Sequence, residues 1–220
     1  MTTSEPAAPV AARPPVLAVR GAVLAGGAAR RHGGQPKGLL EVGGRRVIDR
    51  VVAAMAAATG ELPLLVANAP DAARWRADLR TIPDTHPGLG SLGGIYTAVT
   101  AAREPVLCVA WDMPFLTAGL LRALAVGAEG FDVFLPESVG RRGIEPLCAV
   151  YGPRCAPVIE RQLALGDLRA IGFHSRARVG TLSLAQVRSF GDPEVLFFNV
   201  NEPGDLVRAE ELWRRCGSSP

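Results

Sequence analysis

Short apolar runs separated by stretches of helical period constrain this chain more than any other feature. Residues 19–25, the segments LPLLVAN, PVLCVAWD, FDVFL and EPLCAVY, and the run VLFFN near the end each read as a strand. Between them, Val47, Ile48, Val51, Val52 and Met55 fall at helical spacing and predict a helix to about residue 58. DAARWRADL, SLGGIYTAVTAA, TAGLLRALAV, PRCAPVIERQLAL and the C-terminal EPGDLVRAEELWRR also read as helices, and residues 80–83 as a short strand. Continuously apolar strands alternating with helices predict an α/β fold, a mainly parallel sheet covered on both faces. In such sheets, ligands bind beyond the carboxyl ends of the strands, near the point where strand order reverses.

At 220 residues the chain suits one domain, expected over residues 20–215 after an Ala/Pro-rich flexible tail over 1–19. That tail lacks the pattern of a signal peptide, and no run nears the roughly 18 apolar residues of a membrane span. The cysteines at 108, 148, 155 and 216 show no zinc or redox spacing, which together with the length favours a cytoplasmic, reduced protein. A net charge of +3 does not call for nucleic acid, but its distribution is uneven. Between Arg20 and Arg50 seven basic residues stand against Glu41 and Asp49, a local excess suited to a small polyanion.

That excess centres on LAGGAARRHGGQPKG, residues 24–38, directly behind the first strand. Gly26 and Gly27 let a ligand approach backbone N–H groups, Arg30 and Arg31 add fixed charges, and Lys37 is the sole lysine of the chain. At an effective dielectric of 20, each cation about 4 Å from a phosphate charge contributes roughly 4 kcal/mol before desolvation. The loop is not a P-loop, because Lys37 follows Pro36 and precedes Gly38. GLGSLG at Gly88, Gly90 and Gly93 matches a dinucleotide fingerprint by letter, yet DTHP parts it from any strand. An NAD-dependent dehydrogenase therefore has little support.

Asp112 ends the apolar run PVLCVAWD, where one carboxylate suffices to anchor Mg²⁺ when phosphates supply other ligands. Asp84, Asn68, Asn199 and Asn201 likewise follow predicted strands, so five polar groups gather along one sheet edge. His32, His86 and His174 lack ligand spacing and read as surface or turn residues, and Trp75, Trp111 and Trp213 as packing. No nucleophile elbow or Ser-His-Asp order is present.

With these residues assembled, the chain resembles the molybdenum cofactor guanylyltransferases of the nucleotidyltransferase family. The resemblance rests on GAVLAGGAARRHGGQPKGLLEVGGRRVIDRVV, PGLGSLGGI, WDMPFL and NVNEPGDL, in that order, and runs from about residue 20 to 212. It implies a Rossmann-like three-layer sandwich of the nucleotide-diphospho-sugar transferase type. It further implies transfer of GMP from GTP to the terminal phosphate of molybdopterin, or Mo-molybdopterin, with release of pyrophosphate. Leu24, Ala25 and Gly26 would line the guanine pocket, with Gly27, Arg30, Arg31 and Lys37 around the phosphates. Asn68 and Asp84 would hold the nucleotide, Asp112 would bind Mg²⁺ (or Mn²⁺), and Asn201 would lie near the metal. Molybdoenzyme apo-proteins or their chaperones would be protein partners, and no nucleic acid or membrane is implied. Two positions depart from the family pattern: His32 stands where methionine is usual, and Glu202 where a helix-capping threonine is usual. The alternatives are a CTP-dependent cytidylyltransferase, whose loop usually reads Leu-Ala-Ala-Gly, another small-molecule nucleotidyltransferase, and a non-catalytic nucleotide-binding or delivery module.

Overall fold

The computed structural model describes residues 19–26 and 36–217. Strand β1 (Arg20–Ala25) is apolar and buried from Gly21 onward because both its faces are covered. Ala22 and Leu24 pack into one core cluster, while Val23 and Ala25 pack into the other. After the 3₁₀ turn Lys37–Leu39 come the short antiparallel hairpin β2 (Glu41–Val42) and β3 (Arg45–Arg46), then α1 (Val47–Thr59). Val47, Ile48, Val51, Val52 and Met55 form its buried stripe, and Gly60 ends it in the left-handed region at φ 82°.

The chain continues through β4 (Leu64–Ala67), α2 (Ala72–Trp75), β5 (Thr81–Ile82), α3 (Gly90–Ala102) and β6 (Val106–Ala110). Helix α4 (Ala118–Gly127) is capped by the Thr117 hydroxyl, which accepts from the Leu120 N–H. Then follow β7 (Val133–Pro136), β8 (Cys148–Tyr151), α5 (Cys155–Ala164), β9 (Val179–Leu182), α6 (Leu184–Arg188), α7 (Pro193–Leu196) and α8 (Pro203–Gly217). Seven strands form one sheet in the order β5-β4-β1-β6-β8-β7-β9. Residues of α1 and α4 pack on one face; those of α3 and α5 pack on the other. This is the expected three-layer α/β sandwich.

Strands β5, β4, β1 and β6 run parallel, with Leu24 beside both Val66 and Ala110. The chain steps outward from β1 to β4 and β5, then returns to the other side of β1 as β6. Strand order therefore reverses at β1, and the ends of β1 and β6 flank a crevice. Strand β8 is the exception in direction: it runs antiparallel to both β6 and β7. Consequently the start of β8, not its end, lies at the carboxyl edge of β6.

The pattern and the structure part at the β2–β3 hairpin, to which the pattern assigns no element, and in three further places. VLFFN is not a strand: the Asp192 carboxylate accepts from Glu194 N–H and Pro193 occupies the first turn, so residues 193–196 coil into α7. The following segment is instead tacked to the sheet by Val200 N–H donating to Asp112 O at 2.9 Å. The sequence pattern assigns no element to residues 166–190, whereas β9 and α6 lie there, α6 opened by a capping box of Ser183 and Gln186. Helix α2 is also shorter than DAARWRADL implies; Arg76 turns out of it to pair with Asp49 and Asp78. Among the described residues, no helix is long and apolar enough to cross a membrane.

Candidate active site

A cleft of about 820 Å³ opens over the carboxyl ends of β4, β1 and β6. Leu24, Ala25, Gly26, Lys37, Asn68, Asp84, Asp112 and Asn201, all singled out by the sequence, line it. Asn199 joins them, although its side-chain amide turns back to donate to Phe197 O at 2.9 Å. Gly27, Arg30 and Arg31 lie outside the described residues, as does His32.

One end of the cleft is a polar bracket between β4 and α3. Asn68 Oδ1 accepts the Asp84 N–H at 2.8 Å, which leaves the Asn68 amide as a donor. Asp84 Oδ1 accepts twice at 2.9 Å, from His86 N–H and from Thr97 Oγ1–H. The other carboxylate oxygen, Oδ2, packs over Gly93, where a Cβ would come within 3.2 Å of it and 3.0 Å of His86 O. Gly88 and Gly90, at φ 87° and 64°, give the turn that delivers the amino end of α3 to the cleft. GLGSLG thus serves a turn and a close approach after a short strand, not a strand-to-helix dinucleotide loop.

The middle of the cleft carries charge. Lys37 Nζ donates to Asn201 Oδ1 at 2.7 Å, joining the first loop to the chain before α8. Lys37 is held there because Gly38 lies against the Trp111 ring; a Cβ at that position would fall 2.3 Å from ring carbon Cε3. Trp111 in turn stacks on Trp75 at 4.9 Å between centroids, so both tryptophans shape the cleft wall as packing. Asn201 is fixed from below: Asp205 Oδ2 accepts from both Asn201 N–H and Glu202 N–H at 2.8 Å. Asp205 thereby ties down the start of α8 where Glu202 replaces a hydroxyl cap.

Asp112 follows β6 directly, and its Oδ1 is fully buried with no hydrogen-bond partner. Burial pushes its carboxyl above the ordinary aspartate range, and the Lys37 charge opposes that shift. An orphaned, desolvated oxygen beside an ammonium group fits a cation or a donor supplied by a ligand. No group of three or more His, Cys, Asp or Glu residues is arranged for a metal among the described residues. Substrate phosphates could supply the remaining ligands of an ion held by Asp112.

From the sequence, Glu145 is marked only as part of GIEPL, a segment set beside Arg141 and Arg142 as a guess for the molybdopterin pocket, with no role of its own; it stands at the far side of the cleft just ahead of β8. Burial raises its carboxyl pKa first and the Asp112 charge adds to the rise, while the Leu147 N–H and the Arg142 charge lower it. The usable signal is an acid within two residues of a proline at a strand boundary, as in Asp112-Met113-Pro114, but here, in Glu145-Pro146, at the strand's beginning.

The family model for the MobA-like NTP transferase domain matches residues 21–179. A relative from Pelotomaculum thermopropionicum, named "Probable molybdenum cofactor guanylyltransferase", is 39% identical over 200 residues, 90% of this chain and 94% of its own length. A "Molybdenum cofactor guanylyltransferase" from Desulfosudis oleivorans is 38% identical over 196 residues, covering 88% and 95%. Among solved structures, molybdopterin-guanine dinucleotide biosynthesis protein A from Archaeoglobus fulgidus superposes with a TM-score of 0.74 at 28% identity, over 90% of this chain and all of that one.

Proposed function

Because the chain belongs to the family of MobA-like NTP transferase domains, we infer that it is a molybdenum cofactor guanylyltransferase, moving GMP from GTP to the terminal phosphate of molybdopterin. An oxygen of that phosphate attacks the α-phosphorus of GTP, a new P–O bond forms, and the bond to the bridging oxygen breaks. Pyrophosphate leaves with the electron pair, and a guanine dinucleotide cofactor remains. Relatives of that name across most of the chain support the reaction. The observation that carries the assignment of this cleft is that Lys37 and the buried, unpartnered Asp112 oxygen line the same cleft at the strand-order reversal.

The described groups divide the work by chemistry. Asn68 offers an amide donor and Asp84 an acceptor oxygen, complementary to the O6 and the N1–H and N2–H groups of guanine. Leu24, Ala25 and Gly26 supply the apolar and backbone wall beside the base. A Cβ on Gly26 meets no described atom within 4 Å, so an alanine methyl there would stand in the open cleft. Lys37 is the cationic side chain lining the cleft among the described residues, and it is placed to meet phosphate charge. Arg30 and Arg31 are assigned to the same phosphates from the sequence alone.

The residues fit a divalent ion: Asp112 offers an ionisable oxygen that nothing else satisfies, with Asn201 close by through Lys37. Bound Mg²⁺ (or Mn²⁺) would neutralise phosphate charge and align the reacting oxygens. A phosphate nucleophile is already ionised at neutral pH, so the lack of histidine along the cleft among the described residues costs the reaction nothing. Positioning and charge neutralisation are what remains for the protein to provide. The product would pass to molybdoenzyme apo-proteins or their chaperones in the cytoplasm.

Lys37→Ala and Asp112→Ala, each with its thermal unfolding midpoint recorded, test this assignment. Both variants are expected to stay folded and lose most transfer in saturating Mg²⁺. Near-normal turnover by either removes that residue from the mechanism.

A further inference from the structure

Resting on the transferase reading above, we propose that Glu145 is a second carboxylate for the divalent cation, placed on the acceptor side of Asp112. Direction of the chain puts it there. Strand β8 runs antiparallel to β6, with Cys148 opposite Val109, so the residues before Cys148 return to the edge where Asp112 emerges. Ala110 N–H donates to Leu147 O at 2.9 Å and clamps this return to the end of β6.

Glu145 is held in place yet keeps one oxygen available. Its N–H donates to Pro136 O at 3.1 Å, and its Oε1 accepts Leu147 N–H at 3.0 Å. Among the described residues, Oε2 has no hydrogen-bond partner. The side chain lines the same cleft as Asp112 and lies near enough for the two charges to interact.

Electrostatics then narrows the role. GTP brings about four negative charges and a phosphate monoester about two, into a cleft lined by both Asp112 and Glu145. Two half-buried carboxylates of like sign would repel both substrates unless a cation joined them. Lys37 does not fill that place for Glu145, because its ammonium donates to Asn201 Oδ1. Asn201 is neutral and already accepts from Lys37, whereas Glu145 Oε2 brings a negative charge as a second ligand. One or two carboxylates completed by substrate phosphates is the arrangement Mg²⁺ favours at phosphate-transfer sites. Sheet order gives the ion a specific task. The base bracket lies on the β4–β5 side of Asp112 and Glu145 on the β8 side. A cation shared by the two carboxylates would therefore sit between donor and acceptor phosphates.

Glu145→Gln tests this with little disturbance, since its amide oxygen still accepts from Leu147 N–H. Mn²⁺ binding is read by electron paramagnetic resonance on the full chain, with α,β-methylene-GTP as the non-reacting nucleotide. The Mn²⁺ Kd is expected to rise about tenfold in Glu145→Gln, and transfer lost at low Mg²⁺ is expected to recover at high Mg²⁺. Glu145→Asp, which keeps a carboxylate, should fall between the two and serves alone if the glutamine variant fails to fold. An unchanged Mn²⁺ Kd with a raised KM for molybdopterin would overturn the proposal and make Glu145 a contact to the acceptor's organic part. Absence of nucleotide-dependent Mn²⁺ binding by the wild type would overturn the transferase reading beneath it as well.

Discussion

Asp84→Asn should exchange one base for another without disturbing the fold. The reason lies in how the carboxylate is divided. Asp84 Oδ1 accepts from His86 N–H and from Thr97 Oγ1–H, both at 2.9 Å. A backbone N–H cannot become an acceptor, so an asparagine must keep its oxygen at that position. Its NH₂ group is then forced into the place of Oδ2, the oxygen beside Gly93 assigned above to the base. The single change is inversion of the base-facing atom from charged acceptor to neutral donor. A hydrogen bond to a charged group contributes about 1.5–3 kcal/mol, which corresponds to roughly a 10- to 150-fold loss in kcat/KM for GTP. Xanthosine triphosphate presents a carbonyl where guanine has its 2-amino group, so it should become a better substrate than for the wild type. The assay is pyrophosphate release with GTP, CTP and xanthosine triphosphate at fixed Mg²⁺ and molybdopterin, with unfolding midpoints measured alongside. An unchanged preference among the three nucleotides in a well-folded variant would refute base reading by Asp84.

The other expectations are briefer. Lys37→Ala removes a charge worth roughly 4 kcal/mol per close phosphate pair before desolvation, and kcat should fall by about 10²–10³-fold; rescue by Lys37→Arg should be poor because the fork is larger than the ammonium that Asn201 receives. Gly26→Ala places a methyl in open cleft space and should reduce GTP use more than CTP use; steady-state comparison of the two nucleotides decides it. Burial pushes the thiols of Cys108, Cys148 and Cys155 upward, that of Cys155 to about 12, while Cys216 is exposed. A thiol reagent at pH 8 should therefore titrate one cysteine per native chain and all four after denaturation.

Strands buried on both faces are legible as unbroken apolar runs, and β1, β4 and β6 were read for that reason. The residues that follow these strands and the short β5, namely Gly26, Asn68, Asp112 and Asp84, could then be placed on one edge because parallel strands all end there. Direction is what an apolar run does not encode. EPLCAVY reads equally well either way along a sheet, and only the pairing of Cys148 with Val109 shows that its beginning faces the cleft. Glu145 is legible only as part of GIEPL, without a role of its own, on that account. VLFFN failed for a different reason: Asp192 and Pro193 start a helical turn whose local hydrogen bonds outweigh the β propensity of the apolar residues after them. Asn201 nevertheless reached the cleft, carried by the Val200–Asp112 backbone bond and the Lys37 contact, neither of which a periodicity records.

The central claim, guanylyl transfer to molybdopterin at this cleft, is met most directly by one incubation of the purified protein with Mg²⁺ and molybdopterin, supplied with GTP or with CTP. Product mass and pyrophosphate release are the readouts. The account predicts a guanine dinucleotide and stoichiometric pyrophosphate with GTP, and little of either with CTP. A cytosine dinucleotide as the main product, or bound nucleotide with no transfer from either, would contradict it.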